Sequence, residues 1–358
     1  MRTIHVRGAS GYDGALAALS RRGDSDLERV EPEVRAILRA VRERGDAALR
    51  ELTQRFEQRE LGAIVLGADE IAEGARALDP AIRANLEEAG ERIRRYHGHQ
   101  REPGFRYEEE GISLGLRVRP VKAAGVYAPG GKARYPSSVL MAAIPAAVAG
   151  VPRIVLATPR PTPEIFAAAQ IAGVTEIVDS GGAQAIGALA YGTESVVRVD
   201  KIVGPGNIYV ACAKRLVFGV VDIDGIAGPS EILVIADDEA DPRVVAADLL
   251  SQAEHDEDAY ALLVTISEEQ ARAVAAEVER QLAELPRRAV AEASIRDHGI
   301  AFVVGDLVEA ARVADELAAE HLSLQVRDPD ALLDRIGAAG AAFLGDHTPE
   351  AAGDYAAG

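Results

Sequence analysis

The chain contains no tryptophan, and aromatic residues make up only 4% of it. Proteins that stack nucleic-acid bases need aromatic platforms and a basic footprint. Here 39 Lys and Arg stand against 57 Asp and Glu, a formal net charge of −18 at pH 7. Neither a nucleic acid nor an anionic membrane surface is an expected partner. Cysteine is almost missing: Cys212 stands alone, so an intramolecular disulfide framework and a cysteine-based zinc cluster are both excluded. Small neighbours at Val210, Ala211 and Ala213 mark it as a packing residue on a helix rather than a catalytic thiol. Long apolar runs are lacking too. The most apolar stretch, Val139 to Val151, is too short to cross a bilayer and contains Pro145. Residues Met1 to Arg7 carry no apolar core of a secretory signal. A cytoplasmic protein acting on small soluble ligands is expected.

At 358 residues the chain exceeds what one core usually serves, so two α/β domains are expected. Residues Val30 to Phe56 have the period of an amphipathic helix, with Val34, Ile37, Leu38, Val41, Ala48 and Leu49 on the apolar side. A second helical stretch spans Ala68 to Tyr96, broken near Asp79-Pro80. Phe105 to Val121 alternates like a hairpin turning at Glu110-Gly111. His97 and His99, in a polar stretch, are expected in solvent. From Ala124 onward short apolar runs alternate with Ala-rich helical segments: Gly125 to Ala128, Arg153 to Ala157, Glu176 to Asp179 and Asp200 to Val203, then Glu231 to Ala236, Ala261 to Ile266, Ile300 to Val304, Leu322 to Val326 and Ala341 to Leu344. That rhythm is the mark of βαβ units. The expected fold is α/β, with two doubly wound, incomplete Rossmann-like domains and an N-terminal helical segment.

Such folds bind ligands beyond the carboxyl ends of their strands. Three glycine-bearing loops fall there: Pro129-Gly130-Gly131-Lys132, Ser180-Gly181-Gly182-Ala183-Gln184 and Gly204-Pro205-Gly206-Asn207. Glycine lets backbone amides approach phosphate, and a helix N-terminus favours an anion. Lys132 and Arg134 would add local positive charge. No Gly-x-Gly-x-x-Gly fingerprint is present, so ordinary βα turns remain the alternative.

Polar pairs in the second half suggest chemistry. Gln252 and His255 lie three apart near the end of a helix over Asp241 to Glu254, which sets them on one face, within reach of one ion or polar ligand. The plainer alternative is a histidine resting at the negative end of a helix. Glu320 and His321 follow a helix over Val308 to Ala319; placed at the carboxyl-side edge of a sheet, they would suit a general base and acid. For an isolated pair, a surface Glu and a dipole-held His is the commoner outcome. Asp354, near the end of the chain, would be a plausible hard third ligand beside Gln252 and His255, though spacing does not establish it and an aspartate in a tail is normally solvated. His298 and His347 are expected to be loop histidines without a role.

Read together, these stretches closely resemble the histidinol dehydrogenase family. The resemblance runs through Gly125-Val126-Tyr127-Ala128-Pro129-Gly130-Gly131-Lys132, Tyr135-Pro136-Ser137-Ser138-Val139-Leu140-Met141, Gly181-Gly182-Ala183-Gln184-Ala185-Ile186 and Lys201-Ile202-Val203-Gly204-Pro205-Gly206-Asn207. It continues in Ala227-Gly228-Pro229-Ser230-Glu231, Ser251-Gln252-Ala253-Glu254-His255, Glu320-His321-Leu322 and Gly353-Asp354-Tyr355, nearly the whole chain in collinear order. It implies oxidation of L-histidinol to L-histidine through an unreleased aldehyde, with two NAD molecules used in turn and one zinc ion per subunit. Gln252, His255 and Asp354 match zinc ligands that also contact substrate. Tyr127, Gln184 and Asn207 match NAD contacts. Ser230 and His321 match substrate contacts, and Glu320 and His321 the acid–base pair. The zinc would act mainly as a template that fixes the reacting carbon.

The resemblance further implies a homodimer in which the partner's C-terminal region completes the site. In the family the Gly-Asp-Tyr motif leads on to a segment supplying a Glu and a final His, the fourth zinc ligand. This chain stops at Gly358, so those groups are expected to be missing from it. The expected partition is an N-terminal segment 1–22, a discontinuous domain 23–126 plus 231–358 bearing the zinc and acid–base residues, and an NAD-binding domain 127–230. Two other readings stay open: a related zinc and NAD dehydrogenase of another small alcohol, such as a sulfonated diol, and a catalytically incomplete NAD-binding homologue.

Overall fold

The computed structural model describes residues 3–22, 26–130, 135–226 and 228–353. These form two compact units, one of residues 3–22 with 228–353 and the other of residues 26–226. The doubly wound α/β architecture is as expected. The partition differs from the expected one in two respects.

Residues 3–22 are not a separate helical segment. Thr3–Val6 is a strand paired in parallel with Gly299–Val303, and Tyr12–Leu19 is a helix whose Tyr12, Leu16 and Leu19 enter that unit's core. Residues 26–126 belong with the 123–223 sheet rather than with the second half of the chain. Burial is the reason. The long helix Asp26–Glu57 lays Val34, Ile37, Leu38, Val41 and Leu49 against Ile186, Leu189 and Cys212. A charged helix with one broad apolar stripe docks where that stripe is covered. The helix is kinked at Gly45 (φ 52°). There the Glu194 carboxylate, accepting from the Asp46 amide at 2.7 Å, occupies the space a Cβ would need.

The sheet of the 26–226 unit runs in the order Val65–Leu66, Glu176–Val178, Arg153–Ala157, Ala123–Tyr127, Lys201–Val203, Asp222–Ile223. All its strands are parallel except the first, which is antiparallel to its neighbour. The other unit repeats the plan: Thr3–Val6, Gly299–Val303, Tyr260–Thr265, Glu231–Ala236, His321–Gln325, Ala341–Leu344, all parallel. In both, the strand that starts the βαβ run lies inside the sheet, its second strand on one side and its fourth on the other. That reversal is a topological switch point, and each sheet has one.

The hairpin Phe105–Glu109 and Ile112–Leu116 turns at Glu110 (φ 50°) and Gly111 (φ 80°), the geometry that matches strand twist. Every residue of both strands is exposed. The pairing puts Phe105 across from Leu116, and Tyr107 across from Leu114, so four large apolar side chains share one face.

Candidate active site

In the 26–226 unit, the described residues of the three glycine loops, Gly131 and Lys132 not among them, follow strands at the carboxyl edge of the sheet. They lead into the helices Pro136–Val148, Gly182–Tyr191 and Ile208–Val217. Tyr127 ends its strand, and its buried hydroxyl accepts from the Gly182 amide at 3.0 Å. Burial pushes its phenol pKa up, with the Gly182 bond acting in the opposite direction, so it stays a neutral hydroxyl. Gln184 lies in the first turn of the second helix and is 3% exposed. Asn207 caps the third, its carboxamide oxygen accepting from the amides of Tyr209 and Val210 at 3.1 and 3.2 Å. Gly204, at φ +111°, lets its loop pass so close to the neighbouring strand that an added Cβ would sit 2.2 Å from the Tyr127 carbonyl oxygen. Tyr127, Gln184 and Asn207 therefore share one edge. Lys132 and Arg134 lie outside the described residues.

None of these three helices has an acidic residue in its first turn. A helix N-terminus favours an anion; at the second helix the Glu57 carboxylate takes that place, accepting from the Gly181 amide at 3.2 Å. The matching edge of the other unit is different. The helices Glu268–Leu282 and Leu307–Leu317 start with Glu268 and Glu269, and with Glu309, while Asp237, Asp238, Glu239 and Asp241 precede the helix Pro242–Ala253. The helices after the three glycine loops thus start with less acidic charge of their own than these.

The polar pairs of the second unit lie at the opposite, amino edge of its sheet, which corrects the expected carboxyl-side placement of Glu320 and His321. The preceding helix stops at Leu317, with Ala318 left-handed at φ 44°, and His321 begins its strand. Ser230 immediately precedes the neighbouring strand, and its carbonyl accepts from the Tyr260 amide at 2.9 Å. Arg22 anchors this edge: its guanidinium grips both Glu231 carboxylate oxygens at 2.6 and 2.5 Å and donates to the Leu317 carbonyl at 2.7 Å.

His321 Nδ1 lies 3.0 Å from the Glu231 carbonyl oxygen. A carbonyl only accepts, so Nδ1 carries the proton in the neutral ring and Nε2 keeps the lone pair. The Glu320 carboxylate is 3.8 Å from Nδ1, and that of Glu350 is 3.8 Å from Nε2. Glu350 is buried and also accepts from the Ser251 hydroxyl at 3.3 Å. Ser251 sits in the last turn of the helix Pro242–Ala253, beside Gln252. Glu350 thus joins the Gln252 helix end to the His321 strand start, which sequence spacing did not show. Its only sequence signal was a place four residues before Asp354.

Gln252 is 1% exposed, and its carboxamide oxygen has no hydrogen-bond partner. An orphaned buried acceptor costs about 1–3 kcal/mol unless something binds it, and an amide oxygen at a helix C-terminus is a suitable donor to a cation. His255 follows the helix, its amide donating to the Gln252 carbonyl at 3.1 Å, and is partly exposed. Asp354 lies outside the described residues. Among those described, no group of three His, Cys, Asp or Glu is gathered to hold a metal. Gln252 nevertheless fits the metal that the resemblance implies, because it offers a buried oxygen donor left unsatisfied, and His255 offers an imidazole three residues on.

Below this edge Asp248 is buried and accepts from Ser323 at 2.8 Å, Gln325 at 2.9 Å and the Glu350 amide at 3.3 Å. Burial pushes its carboxyl pKa up against those three bonds. Cys212 is fully buried and burial raises its thiol pKa, as a packing residue requires. His99 and His347 are exposed, as expected, and His97 is partly so. His298, expected in a loop, instead ends the helix Arg288–His298, and its ring lies tilted at 44° against that of Tyr260, 4.6 Å between centroids.

A carboxyl edge suited to a dinucleotide in one unit, with a histidine base between carboxylates in the other, is the equipment of a nucleotide-dependent oxidoreductase. Comparison with known proteins narrows that class. The family model for histidinol dehydrogenase matches residues 20–358, and the chain belongs to that family. It is 53% identical to the histidinol dehydrogenase of Aquifex aeolicus over 345 residues, covering 96% of this chain and 81% of the relative. Against that of Syntrophotalea carbinolica it is 52% identical over 356 residues, covering 98% and 83%. The crystal structure of histidinol dehydrogenase from Elizabethkingia anophelis superposes with a TM-score of 0.93 at 35% identity, covering 99% of this chain and 83% of that one.

Proposed function

We propose that this chain oxidises L-histidinol to L-histidine in two NAD-dependent steps through an enzyme-held aldehyde, completing histidine biosynthesis. The observation that carries the reading is His321, with Nδ1 pinned to the Glu231 carbonyl at 3.0 Å and Nε2 left basic beside buried Glu350. Gln252, His255 and Asp354 are the residues that would hold a zinc ion, and Tyr127, Gln184 and Asn207 those that would hold NAD. When bound, zinc anchors the substrate's nitrogens and NAD accepts hydride.

The proton chemistry falls to the chain itself. In the first oxidation His321 Nε2 takes the hydroxyl proton as hydride leaves the carbinol carbon, giving the aldehyde, and the Glu350 carboxylate stabilises the imidazolium so formed. In the second, Glu320 takes a proton from a water molecule that attacks the aldehyde. The hydrate then loses a hydride while His321 Nε2, its first proton released to solvent, takes the hydroxyl proton, giving the carboxylic acid, which ionises to the carboxylate. Each histidinol thus yields two NADH and consumes one water. Ser230, beside Glu231 at the same edge, is assigned to the substrate.

We also assign a homodimer and a cytoplasmic setting. The exposed apolar face of Phe105, Tyr107, Leu114 and Leu116 is a surface of the kind a second copy covers. Among the described residues no helix is long and apolar enough to cross a membrane. The test is stoichiometric: NADH formed per L-histidinol consumed, with zinc measured on the same sample. Two NADH per substrate with bound zinc supports the proposal. A ratio of one with free aldehyde, or no NADH from a zinc-loaded sample, rejects it.

A further inference from the structure

Two charged residues with no part in the chemistry above hold the loop that ends in Asn207. The Lys214 side chain, in the helix Ile208–Val217, is only 2% exposed. A buried lysine is retained only where its charge is matched. Its ammonium donates to the Gly204 carbonyl at 2.9 Å and pairs with the Asp224 carboxylate. The other Asp224 oxygen accepts from the Gly204 amide at 2.7 Å. Asp224 is itself held at the sheet edge, its amide donating to the Ile202 carbonyl at 3.2 Å.

Gly204 follows the strand Lys201–Val203, turns to φ +111° and lies against the Tyr127 carbonyl. Its two backbone groups need opposite partners, and the Lys214–Asp224 pair supplies both. We infer that this pair positions the NAD-binding loop, fixing Gly204 so that Asn207 and its helix end are presented to the dinucleotide. A hydrophobic pair of equal volume could fill the space but would satisfy neither group. The inference rests on reading that edge as the NAD site, so the experiment includes a reporter for the reading itself.

NAD affinity is measured by calorimetric titration of the folded enzyme, alongside steady-state kinetics. Lys214→Met and Asp224→Asn are each expected to raise the NAD dissociation constant about tenfold or more, as loss of a charge-assisted hydrogen bond does. The double variant should be no worse than the poorer single one, because both act on one residue. The KM for histidinol at saturating NAD should not change. Lys201→Met, which breaks the exposed Lys201–Asp222 pair of the same sheet, should leave NAD affinity unchanged. Asn207→Ala is the reporter. If Asn207→Ala weakens NAD binding and folded Lys214→Met and Asp224→Asn do not, the positioning role is wrong and the site reading stands. If none of the three weakens it, both fall. Should Lys214→Met fail to fold, Asp224→Asn, which keeps the size of the side chain, decides alone.

Discussion

Gly204→Ala is the sharpest probe of the nucleotide edge. At φ +111° an alanine is strained by about 1–3 kcal/mol. Its Cβ would lie 2.2 Å from the Tyr127 carbonyl oxygen and 3.1 Å from the carbonyl carbon, an overlap costing about 1–3 kcal/mol more. The protein can respond in two ways. If the loop stays in place, the whole roughly 2–6 kcal/mol is lost from stability, and a domain of this size melts about 2–4 °C lower per kcal/mol. If the loop yields, the contact must open by about 1 Å, enough to cost about a hundredfold in a step that depends on placement. Thermal melting and NAD titration on one preparation separate the two, and the expected result is a mixture: a lowered Tm and weakened NAD binding. An alanine variant with the original Tm and NAD affinity would refute the close approach of the Gly204 loop to the Tyr127 strand end and, with it, the account of why this residue is glycine.

Other outcomes follow from the opposite edge. His321→Asn removes the basic nitrogen and should lower kcat about 10²- to 10⁴-fold with either histidinol or the aldehyde as substrate, read as NADH formation. Glu320→Gln should slow aldehyde oxidation more than alcohol oxidation; equal losses in separate assays would count against the division of labour. Gln252→Leu satisfies burial but offers no oxygen, so zinc should be lost on dialysis while the Tm holds or rises. Arg22→Met strands the largely buried Glu231 carboxylate and should destabilise the protein by about 3 kcal/mol, measured by denaturant unfolding. Asp248 gives a pH test. Its native pKa is raised by burial, so between the unfolded and native values the folded state holds more protons, and stability falls as pH rises through that window. Asp248→Asn should abolish that slope, so the stability of the native protein relative to the variant should decline as pH rises from the ordinary carboxylate value.

Much of this was legible in the sequence because it rests on local rules. The strand and helix alternation, the break at Asp79-Pro80, where Asp79 caps the helix beginning at Pro80, and the positions of three glycine loops follow from period and capping. Two features were not legible, because tertiary burial decides them. The helix Asp26–Glu57 has the same amphipathic pattern whichever sheet it covers, and only the complementary face of Ile186 and Leu189 assigns it. Which edge of a sheet Glu320 and His321 occupy depends on whether the chain enters or leaves the strand there, and Ala318 ending the helix settles that they stand at the entry. Glu350 and Lys214 went unread for a related reason. A charged residue in an acidic chain reads as solvated until a structure shows it buried, and their partners lie far away in sequence, 29 residues for His321 and 10 for Gly204.

The two edges divide the work by charge. In parallel sheets with helical crossovers, helix N-termini gather at the carboxyl edge and helix C-termini at the amino edge, so one edge of each sheet is positive and the other negative. Both units of this chain share one strand plan, yet the helices after the three glycine loops of one begin without acidic residues, while two helices of the other begin with Glu268 and Glu269 and with Glu309. In the other unit those acidic first turns disfavour an anionic ligand. What remains to it is the amino edge, where the C-terminus of the helix Pro242–Ala253, the orphaned Gln252 oxygen and the carboxylates of Glu320 and Glu350 all favour a cation.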